Sequence, residues 1–138
     1  MTINAEKGKR IIYINDIAVS LPNELESFLI VQDKCIVLLK EDYSKANILA
    51  FDNEGREVWQ VEENPSQNSR YGYQLIDPTF STSGKLSNSF MALVGGSWIQ
   101  IDADNGKLIK SFGDYQKTIY YNQSSKPNWL KKLFKIFQ

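Results

Sequence analysis

The chain contains no histidine. That removes Ser-His-Asp and Cys-His catalysis, and with them the commonest metal ligand. There is one cysteine, Cys35. It has no partner for an internal disulfide, which agrees with a reducing compartment. It stands next to Ile36 in an apolar stretch, which suits a buried structural thiol better than a reactive one. No apolar run approaches the ~20 residues of a membrane span, and the opening Met-Thr-Ile-Asn-Ala-Glu-Lys has no apolar signal core. These absences lead us to expect a cytoplasmic protein with no membrane partner. Gly95-Gly96 is not a phosphate loop, because neither Lys-Ser/Thr nor a helix follows it. The paired Glu62-Glu63 lie in a polar segment, with no apolar surroundings that would make either a general acid. An enzyme is therefore not expected, and no cofactor is implied.

What the chain does have is an uneven distribution of charge. Sixteen basic and sixteen acidic residues cancel over 138 residues, yet every acid lies at or before Asp114 and the last thirteen residues hold four lysines. Residues 1–125 carry 12 basic against 16 acidic side chains. The densest acidic window, Glu41 to Glu63, sets seven acids against Lys45 and Arg56. Such a window is either a set of solvated strand and loop faces or an acidic surface for a cationic partner. On the second reading Glu54, Glu57, Glu62 and Glu63 are the candidate partner-binding residues.

Read for local structure, the chain is a succession of short strands. Residues 1–9 suggest a frayed start. Ile11-Ile12-Tyr13-Ile14 is β-branched and aromatic; Asn15-Asp16 signals a turn or bulge, and Ile17-Ala18-Val19 continues as strand. Ser27 to Gln32 and Cys35 to Lys40 flank a tight Asp33-Lys34 turn. Asn47 to Asp52, the Asn53-Glu54-Gly55 turn and Glu57 to Val61 make the next hairpin, followed by a polar loop from Glu62 to Arg70. Tyr71 to Ile76 reads as strand, and Asp77-Pro78 to Asn88 as loop with a short strand at Lys85-Leu86. Phe90 to Val94, the Gly95-Gly96 turn and Ser97 to Ile101 form a strong hairpin. Lys107 to Phe112 closes that unit, and Thr118 to Tyr121 suggests one more strand. The predicted division is a β-sheet repeat domain over 1–123, with units at about 25–61 and 71–121, and a C-terminal helix over 124–138. In that helix Trp129, Leu133, Ile136 and Phe137 share one face, with Lys131, Lys132 and Lys135 largely on the other. It either packs on the sheets or binds a partner.

Two segments about fifty residues apart spell one motif. Leu49-Ala50-Phe51-Asp52-Asn53-Glu54-Gly55-Arg56-Glu57-Val58-Trp59 and Ile99-Gln100-Ile101-Asp102-Ala103-Asp104-Asn105-Gly106-Lys107-Leu108-Ile109 each run from an apolar strand ending in Asp, through a turn with Gly, into a second strand. Self-similarity at a fixed period signals a repeat architecture. The second copy resembles the PQQ-type β-propeller blade repeat, in which Gly follows the strand-end Asp by four residues. The first copy is one residue shorter but has Trp59 four residues after Gly55, as that repeat prefers; the second copy has Lys110 there.

A full propeller needs about four to eight four-stranded blades, and this chain has room for two or three. Its layout over residues 10–115 resembles short bacterial half-propeller proteins, some of which are immunity proteins of contact-dependent growth inhibition. The resemblance implies an all-β, incomplete or half β-propeller of antiparallel blade-type sheets. It also implies an inhibitor that binds a cognate, in some cases nuclease, toxin domain, and it carries over no catalytic residue; the acidic surface adds that the toxin is cationic, and a tail helix folded over the open sheet edge would keep the free chain monomeric. PQQ itself is not expected, since its site needs the complete ring.

Other chemistry is poorly served. Asp52, Asp102 and Asp104 offer oxygen ligands, but the 102–106 turn lacks the closing Glu of a calcium loop, and Asp at a strand end more simply accepts turn amides. Trp59, Trp98, Tyr71, Tyr73, Tyr120 and Tyr121 suit cross-strand packing. The surroundings of Trp59 are acidic, which disfavours nucleic acid. The alternative to an inhibitor is a structural or self-associating β-repeat scaffold whose open sheet edges pair with another copy.

Overall fold

The computed structural model describes residues 1–64, 71–78 and 88–112. These residues form eleven strands in three antiparallel sheets, and each strand pairs only with its neighbours in sequence. Sheet 1 holds β1 (Ile3–Asn4), β2 (Ile11–Ile14) and β3 (Ile17–Ser20). Sheet 2 holds β4 (Leu25–Val31), β5 (Lys34–Leu39), β6 (Ile48–Phe51) and β7 (Glu57–Gln60). Sheet 3 holds β8 (Leu75–Pro78), β9 (Ser89–Val94), β10 (Ser97–Asp102) and β11 (Leu108–Ser111). The all-β, antiparallel character expected from the sequence is present. The predicted strands at Lys85-Leu86 and Thr118 to Tyr121, and the predicted helix over 124–138, lie outside the described residues.

Sheet 2 is the middle layer, and its sequence says why. Strand residues alternate between faces. Cys35, Val37 and Leu39 join Ile12, Ile14 and Val19 of sheet 1 in one core, whereas Ile36 and Leu38 join Phe90, Ala92, Ile99 and Ile101 of sheet 3 in another. A strand covered on both faces needs apolar residues at every position. The unbroken Cys-Ile-Val-Leu-Leu of β5 and Ile-Leu-Ala-Phe of β6 meet that need, and all nine residues are buried. Sheet 1 has only one covered face, so β2 alternates: Ile12 and Ile14 are buried, Ile11 and Tyr13 exposed.

The turns follow local chemistry. Asn15 and Asp16 both take positive φ (49° and 67°), as the two-residue turn between β2 and β3 requires. Gly95 and Gly96 do the same between β9 and β10. The β4–β5 turn corrects the sequence reading by one residue. Val31 pairs with Lys34, so the turn is Gln32-Asp33 rather than Asp33-Lys34, and Gln32 adopts φ 55°.

Three other readings are corrected. The start is not frayed: β1 pairs with β2, and Thr2 and Asn15 exchange hydrogen bonds, Asn15 N to the Thr2 carbonyl and Thr2 N to Asn15 Oδ1, both at 2.8 Å. Tyr71 to Tyr73 are not strand, because their backbone groups bond to Glu41, Asn47 and Asn64; Gln74 N, which donates to the Leu93 carbonyl at 2.8 Å, makes the first bond to β9. The strand begins at Leu75 and includes Asp77-Pro78, which the sequence suggested was loop. Among the described residues β8 is the edge strand of sheet 3, and Pro78 is its last residue, a place where a missing N–H is tolerated.

The two copies of the repeated motif occupy equivalent places, the hairpins between the third and fourth strands of sheets 2 and 3. In each, the ladder shifts register just before the Asp. Gly55 N donates to the Asp52 carbonyl and Gly106 N to the Asp102 carbonyl, at 3.1 and 2.8 Å. Each turn also leans on the preceding sheet. Gly55 lies against Ile17 and Val19 of β3, and Gly106 against the Trp59 ring of β7.

Candidate functional site

The four glutamates singled out from sequence are all exposed, but they do not share one patch. Glu54 sits in the β6–β7 turn, where its carboxylate pairs with Arg56. Glu57 opens β7. Glu62 and Glu63 follow its far end, so the extended chain sets the two pairs about 16 Å apart. The Glu62 carboxylate accepts the Leu108 amide at 3.3 Å, tying the end of sheet 2 to sheet 3. Glu57 and Glu63 have no ion-pair partner among the described residues.

The strand-end aspartates serve the turns. Asp52 Oδ1 accepts the amides of Glu54 (2.9 Å) and Arg56 (3.0 Å), and Asp102 Oδ1 accepts the Asp104 amide (2.8 Å). The Arg56 amide, aided by the Glu54 amide and the Arg56 guanidinium, holds the Asp52 carboxyl below its ordinary range. Asp104 is paired with Lys34 at 3.5 Å. Among the described residues no three His, Cys, Asp or Glu side chains are grouped to hold a metal ion.

Cys35 lies fully buried in the core between sheets 1 and 2. Burial pushes its thiol up to about 12, so it is a neutral packing group at working pH.

The feature that sequence reasoning missed is a cleft of about 410 Å³ where the loop before β6 meets the segment before β8. Tyr71, Tyr73 and Gln74 line one side; Lys40, Glu41 and Asp42 line the other, with Glu26 of β4 beside them. The two sides are locked together by Asn47. Its Nδ2 donates to the carbonyls of Leu39 (2.8 Å) and Tyr73 (2.9 Å), while its Oδ1 accepts the Tyr73 amide (2.7 Å). Gly72 N donates to the Glu41 carbonyl at 2.8 Å, and a Cβ on Gly72 would collide with Asn47 and the Ser44 carbonyl. The Tyr73 hydroxyl donates to the Glu62 carbonyl at 3.1 Å. Burial, with the nearby Glu62 charge, raises the Tyr73 phenol pKa, so it remains a donor. Asn64 completes the frame: its Nδ2 donates to the Tyr71 carbonyl at 2.7 Å, and its amide donates to the Lys45 carbonyl. Two buried asparagines near strand ends were the sequence signal. It carried no partner, because Tyr73 lies 26 residues beyond Asn47.

Lys40 in the cleft pairs with Glu24, and Glu26 pairs with Lys7. Glu41 and Asp42 have no cation within ion-pair distance among the described residues. Among the described residues the cleft thus combines the exposed Tyr71, a hydrogen-bonded backbone over the buried Tyr73, and two carboxylates without an ion pair. It holds no nucleophile–base pair.

Comparison with known proteins places the chain in one family. Residues 2–112 match the domain of unknown function DUF7957, and the chain belongs to that family. The match spans all three sheets. No curated protein matches the chain, and no solved structure does. Among the described residues no helix is long and apolar enough to cross a membrane.

Proposed function

We propose that this protein is a cytoplasmic, non-enzymatic binding protein: an incomplete β-propeller that neutralises a cationic protein, in the manner of a bacterial immunity protein against its toxin domain. The observation that carries the reading is the charge of residues 1–112, the span that holds all three sheets. Residues 1–112 hold fifteen of the sixteen acids and eleven of the sixteen bases, and Glu41, Asp42, Glu57 and Glu63 are exposed with no ion pair among the described residues. Two four-stranded meanders, in contact through their first strands and carrying the Asp-turn-Gly hairpin in the same place, support the blade comparison. Such a surface speeds encounter with a basic partner and selects against acidic ones.

The test is co-expression with the protein encoded immediately upstream. Suppression of its toxicity, together with a stable 1:1 complex that weakens as salt rises, supports the proposal. A toxic upstream protein that this chain neither binds nor neutralises overturns it.

A second reading, a self-associating scaffold, draws on the outer face of sheet 1, where Ile11 and Tyr13 are 48% and 44% exposed. Light scattering at micromolar concentration separates the two, since the inhibitor is monomeric when free.

A further inference from the structure

We propose that segment 127–138 of the same chain covers the outer face of sheet 3 and closes that end of the stack over Trp98 and Met91. Its basis is a burial that no sheet explains. Phe90, Ala92, Ile99 and Ile101 pack toward sheet 2, so the residues alternating with them in β9 and β10 point away from it. On that outer side one cross-strand row runs Leu75, Leu93, Trp98, and the next runs Asp77, Met91, Gln100, Lys110. A bare face leaves such residues open to water, as Ile11 and Tyr13 are on sheet 1. Instead Trp98 is 2% exposed and Met91 8%, while Leu75 on the edge strand is 44% exposed. Burial also raises the Asp77 carboxyl pKa. Trp98 and Met91 belong to neither of the two cores that join the sheets. The middle of the face is therefore covered from the side away from sheet 2.

Composition selects the cover. Outside the described residues the chain has three stretches. Residues 65–70 contain no large apolar side chain, and residues 79–87 contain only Phe80 and Leu86. Residues 127–138 contain Trp129, Leu130, Leu133, Phe134, Ile136 and Phe137. Connection agrees with composition. Phe112 N donates to the Trp98 carbonyl at 2.8 Å, so whatever follows Phe112 begins beside Trp98. Sixteen residues separate Phe112 from Trp129, enough chain to reach any point of a four-stranded sheet about 15 Å wide. Charge agrees too. Asp77 and Asp102 stand on the outer side of the sheet, and the last thirteen residues hold four lysines and no acid.

The experiment uses the full chain carrying a nitroxide at Gln138→Cys. Cys35 is buried and takes no label in the native protein. Amide signals of Met91, Leu93, Trp98 and Gln100 should be lost. Those of β2 and β3 in sheet 1, two layers and about 20 Å behind, should persist. A mixture of spin-labelled chain with isotopically labelled chain lacking the nitroxide should show no loss, because the cover belongs to the same molecule. Leu133→Lys with Phe137→Lys should restore the lost signals and leave the β2 shifts unchanged. Loss in the mixed sample makes a second copy the occupant and overturns the proposal. Loss centred on Ile11 and Tyr13, loss spread evenly over the three sheets, or no loss at all also overturns it, as does loss that survives the double substitution. No outcome involves a toxin, so the inhibitor proposal stands or falls on its own test.

Discussion

Trp59 holds sheet 3 by one hydrogen bond and two packing contacts. Its indole Nε1 donates to the Ala103 carbonyl at 2.8 Å, and the same ring lies so close to Gly106 that a Cβ there would stand 2.5 Å from Cε3. On its other flank the ring stacks on Phe90, centroids 6.1 Å apart and planes 6° from parallel. The joint between sheets 1 and 2 has the same plan in other residues. Asn15 Nδ2 donates to the Asn53 carbonyl at 3.0 Å, and Gly55 packs on Ile17 and Val19.

Gly106→Ala should therefore cost about 2–4 kcal/mol, combining the strain of positive φ with a collision against an aromatic ring that is itself fully packed. Gly96→Ala is the control: its φ is +79°, but its Cβ would meet nothing within 4 Å, so it should cost only ~1 kcal/mol. Urea midpoints at constant m-value decide it. Equal losses would mean that the Trp59 contact is slack.

Asn47→Ala removes three hydrogen bonds and leaves the Tyr73 amide and two carbonyls buried without partners. The expected loss is about 2–4 kcal/mol. Amide exchange at Tyr73 should accelerate more than exchange in β9 or β10. A variant as stable as the wild type would show that water replaces the side chain there.

Stability should fall as alkaline pH is approached. Cys35 has a folded pKa of about 12 against ~8.5 for a free thiol, so the unfolded chain loses its proton first. The contribution is complete below about pH 8.5 and declines steadily as pH rises toward 12. Tyr73, also raised, acts in the same direction from about pH 10 upward. Thermal midpoints between pH 8 and 11 should show the decline, and Cys35→Ala should lessen its slope. In the native protein at pH 8, iodoacetamide should leave Cys35 unmodified until urea is added.

The separation of the four glutamates predicts an asymmetric response to charge reversal. Glu54 shares the Arg56 guanidinium with Asp52, whereas Glu62 and Glu63 stand beyond the far end of β7 with no cation paired to them among the described residues. Reversal to lysine at Glu62 and Glu63 should slow association with a cationic toxin about tenfold at low salt, and Glu54→Lys should change it far less. Stopped-flow association at two salt concentrations measures both. Equal effects would mean that the partner senses only net charge.

Much of the architecture could be read from residue order, because each strand pairs with its sequence neighbour and the turns carry their own signals. Gly95-Gly96 and Asn53-Glu54-Gly55 lie where the sequence indicated. The β4–β5 turn slipped by one residue because Gln32 takes a positive φ that its side chain does not advertise. Tyr71-Gly72-Tyr73 imitated a strand through its alternating pattern, yet Asn64, Glu41 and Asn47 claim its backbone groups first. The cleft was invisible for the same reason. It depends on contacts between residues about thirty positions apart, and no local pattern encodes a meeting of that kind. Individual candidate acids were legible as exposed, whereas their distribution along β7 required the fold.

The middle sheet has a consequence for how the chain can change over time. Cys35, Val37 and Leu39 answer to one neighbour while Ile36 and Leu38 answer to the other, so no residue of β5 after Lys34 has solvent in which to drift. A substitution there must satisfy two packings at once. In sheet 1 a new side chain at Ile11 or Tyr13, each about half exposed, has solvent on one side to take up the change. Diversification of this family should therefore concentrate on the outer layer and the loops, with β5 and β6 acting as the fixed spine on which new recognition surfaces are hung.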